Sequence, residues 1–213
     1  MSVSTRARTD APLTERQWVR RGELLEAARA VFERDGYHGA TVSAIVQAAG
    51  LSQGAFYLYF SDKRAVFAAL QEEMATLLRR RIYWATRNVA EPAVRLEAGL
   101  TAYFEFYAEY RAWNHRLMME GLGIDATFEA RQVELYNLLA AGFGPTLSEL
   151  GVRSAELAAA ALIGLASQVA YWNHHQRPQT SALKPTDLAQ ACARLFLYGA
   201  PAITTPTKGG SYA

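Results

Sequence analysis

The residues best suited to chemistry stand between Thr41 and Lys63, in the run TVSAIVQAAGLSQGAFYLYFSDK. Thr41 can cap a short helix that sets Val42, Ile45, Val46 and Ala49 on one face; Gly50 ends it, and Ser52 can cap a second short helix. On that second helix Phe56 and Phe60, four apart, share an inward face, whereas Ser52, Gln53, Gly54, Ala55, Tyr57 and Tyr59 fall outside it. A glutamine amide can bond a base edge, adenine best; Gly and Ala let a helix backbone approach closely, and the Ala methyl can touch a thymine methyl. The hydroxyls of Ser52, Tyr57 and Tyr59 and the ammonium of Lys63 can donate to phosphates. Thr41 and Lys63 also start helices, where free N–H groups and the helix dipole favour an anion. The chemistry on offer is recognition of duplex DNA through its major groove. On spacing alone a second reading stays open, in which the aromatics are core residues of a generic helical bundle.

Helices this short are unstable alone, so flanking helices must hold them. Upstream, Thr14-Glu15-Arg16-Gln17 fits a capping box, and Leu24, Leu25, Ala28, Val31 and Phe32 follow at helical spacing to an expected stop at Gly36. Downstream, Ser61 or Asp62 caps a long fourth helix carrying Val66, Phe67, Leu70, Met74, Leu77 and Leu78. Beyond Pro92 the helical period predicts helices at about 92–111, 113–122, 126–150, 154–176 and 186–199, with Thr127, Ser154 and Thr186 as caps. Pro145, after Gly142 and Gly144, is expected to kink or break its helix. The expectation is an all-α chain of about nine helices. It comprises a flexible basic arm (1–13), an N-terminal three-helix helix-turn-helix domain (14–61), a C-terminal helical ligand-binding and dimerisation domain (62–200) and a flexible tail (201–213).

The totals exclude several classes. The 213 residues are 51% hydrophobic and 20% charged, ordinary for a globular protein. The longest apolar stretch, Leu157 to Ala170, is broken by Gln168 and reads as a buried helix rather than a membrane span; no secretory signal is legible, and a cytoplasmic location is the expectation. One cysteine, Cys192, excludes an internal disulfide framework and a cysteine-built zinc site. No Gly-rich phosphate loop, nucleophile elbow or paired metal motif is present, so no catalytic residue, metal or cofactor is assigned. His174 and His175 are adjacent, and neighbours on a helix point about 100° apart, which argues against a shared metal. Net charge is +2, and the excess sits at the front: residues 1–64 carry nine Lys/Arg against seven Asp/Glu, and Arg6, Arg8, Arg16, Arg20 and Arg21 cluster there. Arg79-Arg80-Arg81 reads as a solvated face near a helix end.

The run GLSQGAFYLYFSDKRAVFAAL resembles the signature of the TetR family of transcriptional regulators, through Gly50, Leu51, Ser52, Phe56, Tyr57, Tyr59, Phe60, Lys63 and Phe67. The upstream pieces Ala27-Ala28-x-x-Val31-Phe32, Gly36-Tyr37 and Thr41-Val42-x-x-Ile45 match as well. The resemblance implies a ligand-responsive regulator, a repressor in the commoner outcome, that binds a palindromic operator and is released by a small molecule. It implies that Gln53, Gly54, Ala55 and Tyr57 read bases or lie on the groove floor. Thr41, Ser52, Tyr59 and Lys63 then grip phosphates, and Ser43 contacts a base or a phosphate. Many members carry Lys or Arg and then Thr around positions 53–55; Gln, Gly and Ala here offer fewer donors, which leaves room for DNA shape or for Arg6 and Arg8 in the minor groove.

The resemblance further implies a homodimer through the last two long helices, and the fourth helix as the lever between ligand and DNA. Residues 154–176 carry Leu157, Ala161, Leu162, Leu165, Ala166, Val169 and Trp172, with small residues for close approach; residues 186–199 carry Leu188, Ala191, Leu195, Phe196 and Tyr198. An intramolecular core would use the same residues. The region between is rich in aromatics and methionine, which points to an apolar or aromatic effector. Candidate contacts are Tyr103, Phe106, Tyr107, Tyr110, Met118, Glu120, Tyr136, Gln168, Tyr171 and Trp172, with Asn114, His115, Asn173 and His174 as further polar anchors.

Overall fold

A computed structural model describes residues 14–120 and 126–199, with side chains described through His115 and again from Ala126. The arm 1–13 with Arg6 and Arg8, the tail 201–213, and the side chains of Met118 and Glu120 lie outside the described residues. The helices are α1 (Glu15–Gly39), α2 (Val42–Ala48), α3 (Gln53–Tyr59), α4 (Lys63–Thr86), α5 (Pro92–Glu109), α6 (Arg111–Glu120), α7 (Ala126–Glu149), α8 (Ala155–Tyr171) and α9 (Pro185–Tyr198). A π-helical turn, Trp172–Gln176, extends α8, and no strand occurs among the described residues. The all-α expectation is met.

The chain divides into two compact units between Leu70 and Gln71, inside α4. In the first, α1 opens on the capping box: the Thr14 backbone N–H donates to the Gln17 side chain at 2.8 Å, and the Gln17 N–H donates to the Thr14 hydroxyl oxygen at 3.4 Å. Gly36 interrupts α1 where the sequence places its stop. Its backbone (φ 72°, ψ 173°) kinks the helix, which resumes to Gly39; a side chain at that φ would be strained. Leu24, Leu25, Ala28, Val31, Phe32, Ile45, Val46, Phe56, Val66 and Phe67 form one buried core, with Phe32 edge-on to Phe67 at 4.9 Å. Thr41, Ser52 and Asp62 cap α2, α3 and α4: their side-chain oxygens accept from the N–H groups of Ala44 (3.1 Å), Ala55 (3.2 Å) and Ala65 (2.7 Å).

In the second unit α5 is central, packing on α6, α7, α8 and α9, and α7 lies along α8. Glu91 caps α5, accepting from Ala93 N at 3.1 Å and Val94 N at 2.6 Å. α5 buries Leu96, Leu100, Tyr103, Phe104, Phe106 and Tyr107, each worth on the order of 1.5–3 kcal/mol of apolar burial. Several expectations change here. Pro145 does not break its helix, which runs on to Glu149, and Thr127 falls within the first turn of α7. Pro185, not Thr186, opens α9; proline suits a first helical position because its missing N–H would have no partner there. Ala155–Gln176 is long and apolar enough by composition to span a bilayer, a test that a buried core helix also meets. Its inner face, Ala159, Leu162, Ile163, Ala166, Ser167 and Ala170, is buried within this unit. Arg81, expected to be solvated, donates to both carboxylate oxygens of Glu109 at 2.6 and 3.1 Å, and its guanidinium lies 5.5 Å from the Tyr110 ring centre.

Candidate nucleic-acid interface and effector cavity

In the first unit α3 is held by one buried side chain and a capped start. Phe56 is buried completely, and Phe60, just past the helix end, packs 5.7 Å from it. The Arg21 guanidinium covers Phe60 at 5.3 Å, a contact that fixes α3 to α1. With that face occupied, Ser52, Gln53, Gly54 and Tyr57 turn to solvent, and Ala55 and Tyr59 are partly covered. Tyr57 is 56% exposed yet its ring stands edge-on to Phe56 at 5.4 Å, so its direction is set from below. Thr41 and Ser43 are exposed at the start of α2. The capping bonds use the hydroxyl oxygens of Thr41 and Ser52 as acceptors, and their O–H protons are the parts suited to a phosphate.

Two residues depart from the sequence reading. The Lys63 ammonium donates to the carbonyls of Tyr37 (2.6 Å), Ala40 (2.9 Å) and His38 (3.4 Å) and lies 4.6 Å from the Tyr37 ring centre. Its three N–H groups are committed within the protein, which makes it a clasp on the end of α1. Leu58, which the sequence reading left out, is 78% exposed beside Tyr57. Its signal was its phase: a leucine two places after Phe56 cannot share the inward face. An exposed leucine there is suited to a thymine methyl.

The second unit holds two adjoining cavities of about 90 and about 60 Å³. Leu78, Phe106, Asn114, Gln132 and Leu135 line both. Of the expected contacts, Phe106 lines both, and Tyr103, Tyr107 and Tyr136 line the smaller. Tyr103 and Ser167 hydrogen-bond across that wall at 3.0 Å. Burial pushes the Tyr103 and Tyr107 phenols well above their ordinary range, so both are neutral and able to donate.

Tyr110, Gln168, Tyr171 and Trp172 are not among the lining residues. Gln168 falls on the exposed stripe of α8 with Leu157, Ala160, Ala161 and Gly164. Trp172 is half in solvent under the Arg177 guanidinium at 4.7 Å. Tyr171 packs among histidines behind Tyr107: its ring lies 5.2 Å from His175, which lies 4.4 Å from His115 and 6.2 Å from the Tyr107 ring. Asn173 is fully buried but bonded at both ends of its amide to Leu183, at 2.8 and 3.1 Å, and holds the loop before α9. Gln132, Leu135, Leu139 and Ser167 were missed; leucines and small polar residues on α7 and α8 carry no signal distinguishing lining from core. No group of three or more metal-binding side chains converges among the described residues.

Residues 24–70 match the family model described as "Bacterial regulatory proteins, tetR family". The chain is 29% identical to the HTH-type transcriptional activator FasR of Mycolicibacterium smegmatis over 75% of its own length and 74% of that protein's. It is 44% identical to the HTH-type transcriptional repressor AcnR of Corynebacterium efficiens over 35% of its length, a match that spans about a third (36%) of AcnR. In fold it is similar to FadR of Bacillus subtilis, solved in complex with stearoyl-CoA, with a TM-score of 0.70 at 20% identity over 84% of this chain and 98% of that one.

Proposed function

We propose that the chain, whose residues 24–70 match the tetR family model, is a helix-turn-helix transcriptional regulator that represses by binding a palindromic operator and lets go when a small apolar or aromatic molecule occupies its second unit. The observation that carries this is α3: a short helix pinned by Phe56, with Gln53, Gly54, Tyr57 and Leu58 turned to solvent as a side chain in the major groove must be. Repression is the mode named for AcnR; FasR is named an activator, and a reporter fusion gives the sign.

A palindrome calls for a twofold dimer. The outward stripe of α8, Leu157 (72% exposed), Ala160, Ala161 and Gly164, is apolar and small enough for close helix approach, and Tyr198 on α9 is 69% exposed. These residues support a homodimer through α8 and α9. An effector releases DNA only if it binds the DNA-incompetent arrangement more tightly. α4 runs as one helix from Lys63 to Thr86 and is the proposed lever between ligand and DNA. The site of action is the cytoplasm, where operator DNA lies.

Selection of duplexes from a random-sequence pool by the full chain tests the reading. An inverted repeat with half-sites about one helical turn apart is expected; a pool that never enriches would refute it.

A further inference from the structure

Resting on the reading that the cavities of the second unit hold the effector, we propose that the effector is a single-ring aromatic carboxylate, its ring against Phe106 and Leu135 and its carboxylate on Arg131 and Asn114. Size comes first. Cavities of about 90 and about 60 Å³ adjoin, and together they approach the ~150 Å³ that takes up one benzene ring. Their walls offer ring faces and edges from Phe106, Trp113 and Tyr103, which suit an aromatic body better than an extended chain.

Polarity comes next. Four lining residues each keep one buried polar atom without a hydrogen-bond partner: Gln71 Oε1, Tyr107 OH, Asn114 Nδ2 and Arg131 Nε. Native interiors rarely leave such groups unmet, and several around one cavity mark what a ligand must supply. Three of the four can donate, so the ligand is rich in acceptors. One is a guanidinium. The carboxylate that approaches Arg131, Glu72, stays 4.0 Å away, is 64% exposed and is drawn also toward Arg79 at 3.9 Å. Glu134 is the other carboxylate lining the larger cavity, and neither bonds Arg131 Nε, so an anion entering there would find that donor open; Asn114, with Nδ2 open as well, lines both cavities. A carboxylate takes both donors, and charge-assisted bonds of this kind are the strong ones. Gln71 Oε1, an acceptor, favours a hydroxyl or amino substituent on the ring.

Calorimetric titration of the full chain with benzoate, benzamide and stearoyl-CoA tests this. Benzoate is expected to bind at least tenfold tighter than benzamide, R131Q to abolish that preference, and the cavity-filling L135F to weaken both ring compounds. Equal affinities for the acid and the amide would overturn the proposal, as would binding of stearoyl-CoA with neither ring compound, an outcome that leaves the cavity reading standing. Benzoate binding that L135F leaves unchanged would instead overturn the cavity reading. Should R131Q fail to fold, the wild-type comparison of acid with amide still decides the matter.

Discussion

The Lys63 ammonium donates to the Tyr37 carbonyl at 2.6 Å, tying the first turn of α4 to the kinked end of α1. A second bond, to the Ala40 carbonyl at 2.9 Å, fixes the residue just before the Thr41 cap of α2. One cation thus organises the corner from which α2 and α3 are hung.

Lys63→Met should therefore lower the stability of the free protein, by about 1–3 kcal/mol for bonds from a charged donor. Chemical denaturation without DNA measures this directly. An unchanged midpoint, with the loss appearing only in DNA affinity, would return Lys63 to the phosphate backbone.

Tyr57→Ala and Leu58→Ala should do the opposite. Both side chains are mostly exposed, 56% and 78%, so the thermal midpoint should barely move while operator affinity falls by about 1–3 kcal/mol for Tyr57. Fluorescence anisotropy on a selected duplex reads the affinity. For Leu58 the loss should be confined to sites with thymine at one position.

Gly99→Ala tests the packing of α5. A Cβ at Gly99 would stand 2.9 Å from Phe143 Cε1, a clash, and 3.3 Å from Thr86 Cγ2, a tight contact. Overpacking of this kind costs about 1–3 kcal/mol. A variant as stable as the parent would show that the Phe143 ring can move aside without cost.

Burial holds His174 below the ordinary histidine value, helped by Arg111; burial likewise lowers His175, helped by His115, His174 and Arg111. Their folded-state pKa values are depressed, so the stability tied to the neutral rings is present above the unfolded value of about 6.5 and is lost as pH falls through the folded values. Thermal unfolding followed from about pH 7.5 to about pH 5 should show a falling midpoint, and His175→Gln should flatten that slope.

Much of the face proposed to bind DNA was legible because it is local. Thr41 and Ser52 announce their caps, and Phe56 and Phe60 announce the inward face, which leaves Gln53 and Tyr57 outside by geometry alone. The bonds of Lys63 were not legible because its partners are carbonyls 23 to 26 residues away, and backbone acceptors leave no trace in residue type. The cavity was half legible. Aromatics at 103, 106 and 107 mark the region, but whether Tyr171 faces the cavity or stacks on His175 depends on how three helices turn about their axes. The π-turn at Trp172–Gln176 shifts that phase within what reads as one continuous helix, and no periodicity predicts it.

The central claim is that the exposed flank of α3 reads duplex DNA, and a salt titration of affinity for a selected palindrome, run on the parent chain and on a Gln53→Ala/Tyr57→Ala double variant, tests it most directly. The parent's log affinity should fall linearly with log salt, as phosphate contacts require. The double variant should keep most of that salt dependence, lose its preference over scrambled duplex, and melt at the parent's temperature. Undiminished preference in a folded double variant would contradict the account.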